Sequence, residues 1–308
     1  MRFDRSIVVL KNYLGDTVMA SPLVREVARR SEAIDLLGSP IVEQILRSDE
    51  IRARAHDPGN LGKVGQLMRT AVSIRRGHYD VAFVVNRSFR SALLTRMAGV
   101  KVRVGHATEG RAALLTHRVE YDEDRNEAEC YLDLLRAIDR DLKDVDAKPN
   151  LWVSQAEKAY GKELVEGGTI GIQPGARHAY KQIRTDVMRQ VGQTLIAQGK
   201  RLVFLGGKEE APMLAELGLE GVDLIGKTTI RETMGVLANL RLMIGGDTGV
   251  MHLAAALGCA TVTAFGPTPA KKWGWFDAPN QVVQAPGGDI AKVDADTIFA
   301  AIGRTSCA

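Results

Sequence analysis

Short apolar runs alternating with helical patterns constrain this chain more than any other feature. Ile7-Val-Val-Leu10 is a compact, mostly β-branched run, and Thr17 to Arg30 follows with helical spacing. Val81-Ala-Phe-Val-Val85 predicts a second strand and Val102-Arg-Val104 a weaker one. Strands separated by helices need crossover connections, which give a mainly parallel sheet covered on both faces. A polar stretch over 139–150 then breaks the pattern at Pro149-Asn150. Ser154-Gln-Ala-Glu157 has the spacing of a capping box, ahead of a helix that Gly167-Gly168 ends. The alternation restarts, with strands predicted at 169–172, 201–205, 222–225, 242–244 and 260–265 and helices at 185–198, 230–239 and 250–257. With 308 residues, at roughly 150 per domain, the expectation is two Rossmann-like domains, 1–150 and 151–308, facing across a ligand cleft.

Composition removes other classes. Charged residues make up 25% and apolar residues 45%, an ordinary globular balance. Cys130, Cys259 and Cys307 form no CxxC pair, which disfavours a disulfide framework or a zinc knuckle and fits a reducing cytoplasm. No run reaches the ~18 apolar residues of a spanning helix, and the opening residues do not read as a signal peptide. The net charge of +4 is too mild to indicate a nucleic-acid partner, but it is uneven. Residues 69–118 hold ten Lys and Arg against Asp80 and Glu109, whereas 151–308 are nearly balanced. Such a surface is either a solvated face or one that meets an anionic acceptor or membrane.

Four stretches carry chemistry, each at a strand end where α/β sheets bind ligands. Leu14-Gly15-Asp16-Thr17 joins the first strand to the first helix. Gly15 permits a tight turn, and Asp16 is either a helix N-cap or a carboxylate aimed at a ligand. Ile172-Gln-Pro-Gly175-Ala-Arg177-His-Ala-Tyr-Lys181 offers Gly175 for backbone N–H donors and Arg177 and Lys181 as cations, the equipment for a diphosphate. Phe204-Leu-Gly-Gly-Lys-Glu209-Glu210 places an acid where it can meet a ribose diol or stabilise a helix start, with Glu209 and Glu210 equally suited. Ile244-Gly-Gly-Asp247-Thr248-Gly249-Val-Met-His252 is the longest. The N–H groups of Thr248 and Gly249 would favour an anion, and Asp247 is expected to meet hydroxyls.

Gly221-Val-Asp-Leu-Ile-Gly-Lys227-Thr228 matches the phosphate-loop pattern by letter but not in context. An apolar, strand-like run lies between its glycines, so only Lys227 is kept as a phosphate contact. The acidic pairs Asp122/Asp124, Asp144/Asp146 and Asp294/Asp296 follow no apolar strand, and the six His do not cluster, so no metal site is expected.

Together these stretches resemble glycosyltransferase family 9, the heptosyltransferases of the lipopolysaccharide inner core. The resemblance rests on Gly15-Asp16-Thr17, Pro174-Gly175-Ala176 with Lys181, Gly206-Gly207 with its acids, Gly226-Lys227-Thr228, and Asp247-Thr-Gly-Val-Met-His252 with Phe265-Gly-Pro-Thr268. It implies the α/β GT-B fold and an inverting, metal-free transfer from a nucleotide sugar, ADP-heptose or a relative, with no further cofactor. It also implies Asp16 as general base, Lys181 at the departing diphosphate, and Asp247, Thr248, Gly249 and His252 as donor contacts. Glu209 or Glu210 would meet the ribose, with Gly15 and Thr17 on the acceptor side. The implied acceptor is an anionic glycan or glycolipid, handled in the cytoplasm or at the inner face of its membrane. The chain departs from the family at Lys181-Gln-Ile-Arg184, where many members carry an aromatic residue and a proline. An epimerase on the same scaffold, or a non-catalytic nucleotide-sugar binder, is the competing expectation.

Overall fold

The computed structural model describes every residue except 50, 52, 53, 140, 141, 143, 144, 168, 276, 278 and 306–308. Asp144 of one acidic pair, Gly168 and Cys307 therefore lie outside the described residues. The chain forms two compact units, Met1–Trp152 and Val153–Ala308.

The first unit runs β1 (Phe3–Val9), α1 (Leu14–Met19), α2 (Ser21–Arg29), β2 (Ser31–Leu37), α3 (Pro40–Leu46), β3 (Arg54–His56), α4 (Val64–Arg76), β4 (Val81–Val84), α5 (Phe89–Met97), β5 (Val102–His106), β6 (His117–Val119) and α6 (Glu127–Arg136). Its strands pair in parallel in the order β3-β2-β1-β4-β5-β6. Alternate residues of β1 and β4 serve opposite faces. Ile7, Val9, Ala82 and Val84 join Leu67, Ala71 and Ile74 of α4 and Ala92 and Leu94 of α5 in one core.

The second unit runs α7 (Gln155–Leu164), β7 (Ile170–Ile172), α8 (Thr185–Ala197), β8 (Leu202–Phe204), α9 (Ala211–Leu217), β9 (Val222–Asp223), α10 (Ile230–Leu237), β10 (Leu242–Gly246), α11 (Gly249–Ala256), β11 (Ala260–Phe265), α12 (Ala270–Trp273), β12 (Gln281–Gln284) and α13 (Ala295–Gly303). The order β12-β11-β10-β7-β8-β9 repeats the topology of the first sheet, again all parallel. In each sheet the chain reverses its direction of travel once, between β1 and β4 and between β7 and β10. The loops after those strands diverge and leave a crevice where ligands bind.

The capping box expected at Ser154 is present. Ser154 Oγ accepts from Glu157 N at 3.2 Å, and the Ser154 N–H donates to Glu157 Oε2 at 2.8 Å. Hydrogen bonding from Arg231 dominates in holding the Glu157 carboxyl at about 2, against the opposing effect of burial. That ion pair joins α7 to α10 beside a backbone contact. A Cβ on Gly161 would run into the backbone of Gly235, and one on Gly235 would meet the Glu157 carbonyl. Two more sequence expectations are settled locally. In the phosphate-loop look-alike, β9 occupies the interval between the glycines and Gly226 has φ +64°, so no cradle forms. Asp294 caps α13, accepting from Thr297 N at 2.8 Å.

Gly161→Val is expected to push α7 off α10 and cost about 1–3 kcal/mol, read as a lower urea midpoint. An unchanged midpoint would show that this crossing tolerates separation.

Candidate active site

In the second unit, the loops after β7 and β10 meet through side chains. Lys181, in a single 3₁₀ turn (Ala179–Lys181), donates from Nζ to Asp247 Oδ2 at 2.6 Å. The other oxygen, Oδ1, lies 3.4 Å from His252 Nε2. Trp275 Nε1 donates to His252 Nδ1 at 3.0 Å, which leaves Nε2 as the nitrogen that carries hydrogen toward Asp247. Asp247 is almost fully buried. Burial alone would raise its carboxyl; the hydrogen bond from His252, with the charge and hydrogen bond of Lys181, outweighs that and holds it at about 2.

The loop's close approach depends on glycine. A Cβ on Gly246, at the end of β10, would strike the Lys181 carbonyl, and one on Gly266 would strike that of Tyr180. Thr248 is the N-cap of α11, yet its side chain does not cap, because its hydroxyl donates to Gln173 Oε1. The first N–H groups of α11 therefore have no side-chain cap among the described residues, next to the Asp247 that holds the Lys181 ammonium, a pairing suited to phosphate. Gln173 also donates to Glu210 Oε1 at 3.1 Å, and Glu210 Oε2 accepts from Gly207 N at 2.5 Å.

These contacts bring together Lys181, Asp247, Thr248, His252 and Glu210, with Gly249 opening α11. Several expectations change in detail. Asp247, expected to meet hydroxyls, commits one oxygen to Lys181 and turns the other to His252, so it serves as a counter-ion. Gly175 makes room for Met213 and Glu210. Glu210 is buried in the network, and burial raises its carboxyl, whereas Glu209 is exposed. Arg177 is exposed too, and Lys227 is tied to Asp223 Oδ2 at 2.5 Å; neither touches the network. Gln173 and Trp275 were not anticipated. Gln173 stood inside a quoted stretch at a strand end, but Trp275 is 23 residues from its partner with no local signal. The aromatic faces on this loop precede Lys181, where His178 and Tyr180 stack with centroids 5.2 Å apart.

The first unit has its own charged centre at the β1 end. Asp16 lies in the first turn of α1 and is not its N-cap, a position held by Tyr13. Asp16 Oδ1 accepts from Lys11 Nζ at 2.6 Å and from the Tyr131 hydroxyl at 3.0 Å. Both bonds fall on Oδ1, and Oδ2 takes no hydrogen bond from the described residues. Lys11 also donates to Glu127 Oε1 at 3.2 Å, and Tyr121 donates to Glu127 Oε2 at 2.5 Å. Tyr131 is fully buried, and burial, with the adjacent Asp16 and Glu127, raises its phenol far above the usual range, so it remains a donor.

Two expectations here are corrected. Gly15 does not form a turn between strand and helix, because α1 already begins at Leu14. Thr17 is fully buried with its hydroxyl on the Tyr13 carbonyl at 3.0 Å, which removes it from direct contact with an acceptor. Lys11, Glu127 and Tyr131 were not anticipated: Lys11 directly follows the first apolar run, whereas Glu127 and Tyr131 come from α6, over a hundred residues away.

Beside this centre a cavity of about 520 Å³ opens at the carboxyl ends of β1, β2 and β4. Its polar walls include Asn12, Asn60, Asn86, Ser88, Arg90 and Glu109. Arg111 fixes one side from behind. Its guanidinium is wholly buried and donates to the carbonyls of His106, Val84 and Asn86, and burial brings it down to about 10.

Two Rossmann-type units of matching topology, each with a lysine–aspartate pair after its first strand or at its switch point, have the architecture of the GT-B fold. The family model for glycosyltransferase family 9 (heptosyltransferase) matches residues 67–299. Lipopolysaccharide heptosyltransferase 2 of Escherichia coli strain K12 is 28% identical over 287 residues, which is 85% of this chain and 82% of that protein. Lipooligosaccharide heptosyltransferase 2 of Haemophilus influenzae is 25% identical, over 93% of this chain and 90% of that protein. The solved structure of E. coli ADP-heptose lipopolysaccharide heptosyltransferase II superposes with a TM-score of 0.82 at 23% identity, covering 97% of each chain. The chain belongs to glycosyltransferase family 9, the heptosyltransferases, and is an enzyme of that class.

Because its folded-state value lies below its unfolded one, Asp247 contributes about 2 kcal/mol at neutral pH, lost as pH falls from about 4 to about 2. Asp247→Asn is expected to be less stable than wild type at pH 7, with the gap in urea midpoint closing over that acid range. A gap that stays constant with pH would refute the ion-pair account.

Proposed function

We propose that this enzyme moves a heptose from ADP-heptose to a hydroxyl of a lipopolysaccharide-type inner-core acceptor, with inversion and without a metal. The observation that carries the reading is the Lys181 ammonium beside the uncapped start of α11 at the switch point of the second unit. Lys181 uses one of its three N–H donors on Asp247, so the others suit phosphate oxygens. Charge growing on the departing diphosphate is met by that ammonium and by the helix N-terminus, the role a divalent ion plays elsewhere. The relatives named lipopolysaccharide and lipooligosaccharide heptosyltransferases support the sugar and acceptor classes, and the ADP-heptose enzyme of like fold supports the donor. The His178–Tyr180 stack offers an aromatic face for the nucleobase, in place of the aromatic residue and proline that this chain lacks after Lys181.

Asp16 takes the acceptor proton. Lys11 and Tyr131 orient the carboxylate through Oδ1 and keep Oδ2 for the hydroxyl. As the acceptor oxygen bonds to the anomeric carbon, its proton passes to Oδ2 and the bond to the diphosphate breaks on the opposite side. The neighbouring cavity, walled by amide and hydroxyl groups with Arg90 and Glu109, suits the hydroxyls of a sugar.

Asp16→Asn is expected to lower transfer by ~10²–10⁴-fold while ADP-heptose binding, measured by calorimetry, is retained. Wild-type turnover by this variant would remove Asp16 from the chemistry. Transfer is also expected to persist in EDTA; loss of activity restored by magnesium would overturn the metal-free scheme.

A further inference from the structure

Helix α4 carries apolar side chains on two faces. Leu67, Ala71 and Ile74 pack into the core, as the inner face of a surface helix should. Val64, Met68 and Val72 form a second line, one turn apart, at 75%, 50% and 49% exposure. Large apolar side chains grouped in one exposed line mark an interaction surface.

The charges carried by α4 itself are all positive. Lys63 precedes the helix, Arg69 flanks the line, and Arg75 and Arg76 close the last turn; all four are exposed, and none pairs with an acid among the described residues. Arg90 and Arg96 of α5, the helix packed beside α4, extend the field. Between Lys63 and Lys101 the chain has one acid, Asp80, and its carboxylate accepts the N–H groups of Asp4 and Arg5.

We propose that the outer face of α4 docks on an anionic lipid bilayer. Val64, Met68 and Val72 enter the boundary between headgroups and acyl chains, while the flanking guanidinium groups lie at the level of the lipid phosphates. Charge decides against a second copy of the chain, since a self-paired face would set arginine against arginine. The inference deepens the proposed function, because a glycolipid acceptor is presented at such a surface, and it rests on that reading for its purpose.

The test is co-sedimentation of the full chain with phosphatidylcholine vesicles containing about one third phosphatidylglycerol, and with phosphatidylcholine vesicles alone. Binding is expected to the anionic vesicles, to weaken as salt shortens the screening length, and to be slight on the zwitterionic ones. Met68→Glu with Val72→Glu, and separately Arg69→Ala with Arg76→Ala, are each expected to lower partitioning by ~10-fold or more. Both double variants should keep the wild-type melting temperature and transfer to a delipidated acceptor. Equal binding of wild type and folded variants, or no binding to anionic vesicles, overturns the proposal, as does light scattering that shows the Glu substitutions dissolving a dimer. Failure of vesicle binding with transfer intact removes the docking face alone; vesicle binding with no transfer to any acceptor counts against the proposed function instead.

Discussion

A lysine ammonium held 2.6 Å from a nearly fully buried carboxylate is the interaction on which the second unit's site depends. Burying Asp247 is unfavourable unless the charge is matched, and Lys181 with His252 supplies the match. The pair in turn fixes the path of the loop after β7, whose backbone lies against Gly246 and Gly266 so closely that no side chain fits. The glycines, the carboxylate and the lysine therefore form one device. Substituting any of them is expected to move the ammonium, the group proposed to meet the departing phosphates.

The first unit solves a related problem the other way round. Lys11 and Asp16 are also 2.6 Å apart at a strand end, but spare capacity sits on the opposite partner. Asp247 has a cationic or N–H partner facing each oxygen, whereas its lysine has donors to spare. Asp16 receives both of its bonds on one oxygen, whereas its lysine is shared with the wholly buried Glu127. An ion pair whose cation keeps unused donors is suited to binding an anion. One whose carboxylate keeps an unused oxygen is suited to accepting a proton. On the proposed reading, the chemical difference between the two sites follows from this division of hydrogen bonds, since each is built on a lysine–aspartate pair.

The β/α alternation was legible because buried parallel strands are short apolar runs, and Ile7–Val9, Val81–Val84 and Ala260–Phe265 fall where those runs stand. β2 was not, because Asp35 interrupts its apolar stretch. That acid is tolerated only through partners from elsewhere: the Tyr79 hydroxyl, Arg5 at 3.3 Å and His56 at 3.4 Å. β3, β6 and β12 are too short or too polar to declare themselves. Motif residues next to strand ends were legible for a similar reason, since strand, turn and helix start are contiguous in sequence. Their partners were not. Tyr131 reaches Asp16 across 115 residues, and nothing local in either segment announces the contact. Gly15 misled because glycine after a strand commonly marks a turn, and here it sits inside a helix that has already begun.

The basic run over 69–118 shows how a charge count divides once a fold is imposed on it. Part of the excess is consumed by structure. Arg111 is buried on three carbonyls, Arg103 donates to the Leu114 and Val100 carbonyls, Arg118 donates to the Ala112 carbonyl, and Arg87 lies over the Tyr121 ring at 3.9 Å. Arg111, Arg103 and Arg118 satisfy backbone carbonyls, and Arg87 covers an aromatic ring. The arginines of α4 have no such employment among the described residues; they stand on a solvent-facing helix that also exposes a line of apolar side chains. A uniformly solvated basic face would carry polar residues in that line. Unengaged cations together with exposed apolar surface separate α4 from the rest of the run, and only the folded chain makes that separation visible.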